Sequence, residues 1–131
     1  MLEYQGWATL REAFREEDES ELKLVLAVDE IKEHVRQTAT TNLIVNVSGL
    51  NGIWRLWLMG ASNRKDARFW NAVELFRTIA RIAPGTYGQL SFWDDEEAGD
   101  LKNCYQVYVL KKGILTLEVD PFLSPCIPRL E

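Results

Sequence analysis

The sequence predicts an α+β fold: about six strands in a mostly antiparallel sheet, with two long amphipathic helices packed on one face, in the order β-α-ββ-α-βββ. Three observations carry this. Segments 20–37 and 66–83 repeat apolar residues at helical spacing along a single stripe. Shorter segments alternate apolar and polar residues, the period of a half-buried strand. Asn51-Gly52 and Lys111-Lys112-Gly113 place tight-turn chemistry between such segments, so their pairing is antiparallel. Each helix has one apolar stripe to bury, and a shared sheet face buries both. The opposite face then presents aromatic and short polar side chains to solvent, a natural docking surface.

The first strand is read over residues 4–11, with Gly6 and Ala8 small on one face for close packing against a helix. Residues 15–21, REEDESE, are a charged connector. They are read as a solvated loop that places acid near a helix N-terminus, a reading favoured over a binding role. Ser20 is the expected N-cap of a helix running to about Gln37, with Leu24, Val28, Ile31 and Val35 in one stripe and Ala27 beside it. Leu22 and Leu26 fall on the polar side. His34, the single histidine, sits at the stripe's edge with no Cys or His nearby and is dismissed as a metal ligand or catalyst.

A hairpin follows over residues 43–58, turning at Asn51-Gly52. Its second arm sets Trp54, Leu56 and Leu58 against Arg55, Trp57 and Met59, so both faces are partly apolar and the strand is expected inside the sheet. The second helix, about 66–83, centres its apolar face on Ala72, Phe76, Ile79 and Ala83. Trp70 projects on the polar side with Glu74, Arg77 and Arg81. Three readings of it stand: a cation–π contact with an arginine, a lid over another element, or an anchor for a partner.

The stretch 81–99, RIAPGTYGQLSFWDDEEAG, organises the rest. Pro84 ends the helix, and Gly85 is expected to supply the permissive backbone that reverses the chain. A strand over 87–93 then delivers Trp93 and the carboxylates Asp94, Asp95, Glu96 and Glu97 to one edge of the domain. Residues 104–110 and 114–119 form a last hairpin, and the tail, DPFLSPCIP, is expected to strap Phe122, Leu123 and Ile127 onto the body.

Bulk properties narrow the function. At 131 residues, 47% hydrophobic and 27% charged, the chain is one ordered domain, 1–131. No apolar run nears the roughly 20 residues that cross a bilayer. The start, MLEYQGWATLREAF, has neither a basic leader nor an apolar core, so the expected location is the cytoplasm. Cys104 and Cys126 lack ligand-like spacing, and free thiols are favoured over a disulfide. Net charge is −5, with −5 over residues 1–52, +4 over 53–90, −5 over 91–100 and +1 beyond. A nucleic-acid binder shows the opposite bias. A basic protein partner fits.

No Walker loop, dinucleotide fingerprint, HExxH, nucleophile elbow or zinc pattern is present. The chemistry left is that of oxygen ligands: Asp94 to Glu97 with Asp100, which would need further donors such as Glu118 or Asp120 to hold Mg²⁺ or Ca²⁺. A solvated or protein-binding acidic loop is favoured over that metal site.

The chain resembles the immunity protein 7 family of bacterial polymorphic toxin systems. The match runs through GWATLR at 6–11, GASNR at 60–64, ELFRTIARIAPGTYGQLSFWDDEE at 74–97, YQVYVLKKG at 105–113 and DPFLSPCIP at 120–128. APGTYG and DPFLSPCIP are its most distinctive parts. Two positions depart from the family pattern: Gln5 and Arg64 stand where histidines are common, which fits a binding role better than shared chemistry. The resemblance implies a non-enzymatic antitoxin without cofactor that binds a toxic domain, often a basic nuclease, as a monomer in a 1:1 complex. Partner-binding residues are expected at Trp93, Asp94, Asp95, Glu96, Glu97 and Asp100, with Trp70 as a second anchor. The alternatives are a small divalent-metal enzyme on the same carboxylates and an interaction module unrelated to toxins. A nucleic-acid role for Arg64, Lys65, Arg68, Arg77 and Arg81 ranks last, because they form no single stripe.

Overall fold

The computed structural model describes residues 1–125. Six strands, β1 (Leu2–Thr9), β2 (Leu43–Leu50), β3 (Ile53–Ser62), β4 (Tyr87–Asp94), β5 (Gln106–Lys111) and β6 (Ile114–Val119), form one sheet. Its order is β2-β3-β1-β4-β5-β6, and every neighbouring pair is antiparallel. Helices α1 (Glu21–Thr38) and α2 (Ala67–Ile82) cover one face, and the expected element order holds. The interior position of β3, between β2 and β1, agrees with its two apolar faces.

The helices bury the stripes that periodicity picks out. Ser20 caps α1 by accepting from the Lys23 amide, and Ala27, Val28, Ile31 and Val35 are buried beneath it. Leu22 and Leu26 stay exposed. Asp66 caps α2 by accepting from the amides of Arg68 and Phe69, while Phe69, Ala72, Phe76 and Ile79 are fully enclosed. Val73, absent from the predicted stripe, is enclosed too. Small residues let these rings reach the sheet. A side-chain carbon on Gly6 would press on the Phe76 ring and Leu90, and one on Gly60 would enter the Tyr4 ring.

The hairpin turns are as their residues require. Asn51 and Gly52 have φ of 52° and 79°, and Lys112 and Gly113 have 51° and 76°, the paired left-handed geometry of a type I′ turn. Lys111 belongs to β5, so the second turn is the two residues Lys112-Gly113. β5 starts at Gln106 rather than 104, because residues 99–103 wind into a 3₁₀ turn that Cys104 closes.

Three further expectations change. β1 spans Leu2–Thr9 rather than 4–11: beyond Thr9, Leu10 donates to the Trp54 carbonyl and Arg11 to the Thr86 hydroxyl. The charged connector is more than a solvated loop, for the Glu19 carboxylate accepts from the amides of Glu12 and Ala13. In the tail, Phe122 is 76% exposed and Leu123 is exposed, while Ser124 is buried. The small polar residue makes the inward contact, and Ile127 and Cys126 lie outside the described residues. Cys104 is a free thiol whose Sγ lies 3.0 Å from the Asp100 carbonyl oxygen.

Gly85 is needed for a reason other than the expected one. Its backbone is not in the left-handed region; instead a Cβ there would collide with the Ala13 carbonyl. Gly88 likewise sits against the Trp7 carbonyl and Ala8. Between them Thr86, fully buried, accepts from the Arg11 amide. The APGTYG stretch is thus a clasp that seats the end of β1 and the loop after it. Gly85→Ala should therefore lower stability by about 1–3 kcal/mol through overpacking. Urea unfolding checks this: a lower midpoint at unchanged slope is expected, and an unchanged midpoint means the loop yields freely.

Candidate protein-binding surfaces

Acid and aromatic residues of the 93–100 segment are placed by strand parity. β4 alternates so that Gly88, Leu90, Phe92 and Asp94 face the helices, while Gln89, Ser91 and Trp93 face away. Asp94 continues the strand by one residue past the expected end and is buried at 6% exposure. It is therefore no free surface charge. Its Oδ1 accepts from the Glu96 amide, and its Oδ2 lies 3.7 Å from Lys65 Nζ.

Lys65 is the cation on which the loop closes. Its Nζ donates to Glu97 Oε1 at 2.7 Å and lies 5.2 Å from the centre of the Phe92 ring. Gln106 donates to the same Glu97 oxygen. Asp95 is taken by the Met1 amine at 2.6 Å, and that amine also donates to the Asn63 carbonyl. Asp94 and Glu97 thus share Lys65, Asp95 faces the Met1 amine, and Glu96 is exposed. Among the described residues no group of three or more His, Cys, Asp or Glu is placed to hold a metal ion. Glu96 and Asp100 are exposed and point their carboxylates to solvent.

Trp93 is half-buried, its Nε1 donating to the Lys102 carbonyl at 3.0 Å. It stands on the face away from the helices. Trp70 is on α2, across the sheet, so the two indoles do not share a face. Trp70 is 47% exposed and packs edge-on against Phe69, and Arg77 binds Glu74 rather than stacking on it.

The uncovered sheet face, expected from the sequence to be a docking surface although none of its residues but Trp93 was named as a site, gathers aromatic and short polar side chains. Strand register sorts it into rungs. One end carries Ser48, Arg55, Thr9 and Tyr87. The next rung is Asn46, Trp57, Trp7, Gln89, Val109 and Thr116, and the next Ile44, Met59, Gln5, Ser91 and Val107, with Glu118 at the β6 edge. Ala61, Glu3 and Trp93 make the far end, beside the acidic loop. Ile44, Trp57 and Met59 are 66%, 45% and 58% exposed. Two adjoining hollows, of about 400 and 340 Å³, share Gln5, Met59 and Ser91 and form one groove along the middle. Arg55 lies over the Trp7 ring at its basic end. The signal for this surface was already in β3, whose outward face carries Trp57 and Met59 beside Arg55.

With this geometry in hand, comparison with protein families is decisive. The model of immunity protein 7 matches residues 1–131, the whole chain. The chain belongs to the immunity protein 7 family. Membership implies an immunity protein whose partner is a toxin protein. No curated protein and no solved structure matches the chain. No helix of the described residues is long and apolar enough to cross a membrane.

In this immunity protein the acidic loop also sets a pH dependence. The Lys65 hydrogen bond, with help from Gln106, holds the Glu97 carboxyl below its ordinary value against the opposing effect of burial. The folded state therefore binds fewer protons than the unfolded chain as the solution turns acid. This contribution is fully present above about pH 4–5 and is lost as pH falls through the depressed folded value. Lys65→Met should cost roughly 1–3 kcal/mol at neutral pH by leaving Asp94 buried and unpaired, moderated by the partial exposure of the pair. Its denaturation midpoint should also fall less steeply with acid than that of the parent protein. Parallel pH curves for the two proteins would remove Lys65 from this role.

Proposed function

We propose that this chain neutralises a cognate toxin domain by direct contact, as a non-enzymatic inhibitor without cofactor acting in the cytoplasm. The toxin is a basic domain, a nuclease by the chemistry that favours an acidic inhibitor, held in a 1:1 complex with a monomer of this protein. Inhibition follows from covering the toxin's active site or holding it inactive. The observation that carries this reading is the family match over the full chain. Support comes from the net charge of −5 and from the acidic loop that projects at one end of the bare sheet face.

Within the proposed contact, Glu96 and Asp100 supply outward charge for toxin Lys or Arg, Asp95 lies beside them on the Met1 amine, and Trp93 supplies apolar area. Asp94 and Glu97, tied to Lys65, hold the loop in shape. Trp70 joins the contact where the toxin wraps around the loop edge onto α2. Opposite charge at an exposed rim acts mainly on encounter, not on residence.

Against the metal-enzyme reading, Asp94 and Glu97 face Lys65 and Asp95 faces the Met1 amine. The test is co-expression with the C-terminal domain of the adjacent large modular gene, scored for growth and followed by co-purification. Rescue of toxicity with a stable complex is the expected result; toxicity without rescue or binding would overturn the reading. In the purified complex, Glu96→Lys with Asp100→Lys should slow association about 3–10-fold at low salt, an effect that shrinks as salt is added. Unchanged association at low salt removes the loop from the interface.

A further inference from the structure

We infer that the groove on the uncovered sheet face seats an apolar segment of the toxin domain, with a Lys or Arg of that segment lying over Glu3 and Glu96. This rests on the immunity reading and names the surface and the chemistry of its occupant. The groove floor is apolar where it matters: Trp7, Trp57, Met59 and Ile44 line the larger hollow. The polar residues among them, Gln5, Asn46, Gln89 and Ser91, are uncharged, so an apolar occupant desolvates no ion there.

The ends of the face are charged and opposite in sign. Arg55 and Tyr87 close one end, while Glu3 and the loop carrying Glu96 close the other. Glu3 is exposed and makes no ion pair among the described residues, so its charge faces a partner. The complementary occupant is apolar along its length and basic at the end nearest the loop. This polarity fixes the direction in which it lies.

A second copy of this chain is the competing occupant, and shape argues against it. Two copies stacked face to face would set hollow against hollow, each of about 400 Å³ at its larger part, and leave unfilled space where packing atoms are needed. Each copy also brings a net charge of −5. A convex element of another protein fills the groove instead. The face has room for it: six strands and four rungs give about 25 by 20 Å, roughly 500 Å², the larger part of the ~800 Å² that one side of a standard protein–protein contact buries, with the acidic loop adding to it.

The experiment measures binding of the C-terminal toxin domain to the full-length protein and four variants, with circular dichroism on each. Met59→Glu and Trp57→Ala alter the exposed groove floor, Glu3→Lys alters the acidic end, and Leu22→Glu alters the far side of α1. Expected are losses of about 30-fold or more for the two floor variants, chiefly through faster dissociation. Glu3→Lys should slow association a few-fold, and Leu22→Glu should bind as the parent does. Should Met59→Glu fail to fold, Trp57→Ala, a truncation at a half-exposed site, decides alone. Floor variants that bind within about threefold of the parent overturn the groove while leaving the immunity reading intact. A parent protein that neither binds nor rescues overturns both. A parent that sediments as a dimer, with Met59→Glu monomeric and still toxin-binding, assigns the groove to a second copy and overturns the inference.

Discussion

The packing of α2 onto the middle of the sheet is the constraint on which the rest depends. Phe69 and Phe76 are fully buried, and their rings need a floor with little side chain on it. β1 and its neighbours provide that floor through Gly6, Ala8, Gly60 and Gly88, each of which brings backbone close to a neighbour. Phe69 meets Tyr4 and Phe92 edge-on, and Phe92 stacks on Tyr108, so three strands, β1, β4 and β5, are tied to one helix through rings. A larger residue at Gly6 would press on Phe76 of α2, and one at Gly60 or Gly88 would displace the Tyr4 ring or the β1 backbone on which the helix rests. Because both apolar stripes are consumed on this side, no described helix remains to cover the other.

The bare face follows from that choice, and so does the use of charge. The acids of residues 94–97 are managed at the sheet's end: Lys65 faces Asp94 and Glu97, buried Gln106 donates to Glu97, and the Met1 amine holds Asp95. This makes the loop a rigid rim rather than a diffuse cloud of charge. The internal pairs spend part of the acid on geometry, and the exposed remainder, Glu96 and Asp100, sets the field outside. An acidic count read directly from sequence overstates that field.

How much was legible in the sequence depended on the range of the interaction. Periodicities of 3.6 and 2 are local, so both helix stripes, both hairpins and the faces of β3 and β4 could be read from neighbouring residues. Asp94 was also within reach: carrying the β4 alternation one residue past Trp93 sends it inward. Its misplacement came from ending the strand at the first carboxylate. The partners of Asp94 and Glu97 were not legible, because Lys65 is about thirty residues away and only the β1–β4 and β1–β3 pairings bring it there. Gly85 shows the same limit. A Pro-Gly pair reads as a turn, yet what demands the glycine is the Ala13 carbonyl arriving from the other end of the chain. Phe122 and Leu123 mark the opposite error, where apolar character alone was taken for burial although single exposed apolar residues are common.

Gln5 and Arg64, read in the sequence as departures from the resembled family's pattern, gain meaning from where they fall. Gln5 lies at the centre of the groove and lines both hollows. Arg64 is exposed beside Asn63, whose carbonyl accepts from the Met1 amine at the acidic-loop end. Neither side chain supports the core, so a change at either leaves the fold intact while altering what the surface offers. A histidine at the groove's centre would gain a charge near neutral pH, whereas the Gln5 amide stays neutral and can both donate and accept. A surface that must match one partner closely is where such substitutions cost the fold least and alter recognition most. The small residues under α2 have no such freedom, since they face a ring or a backbone atom of the same chain.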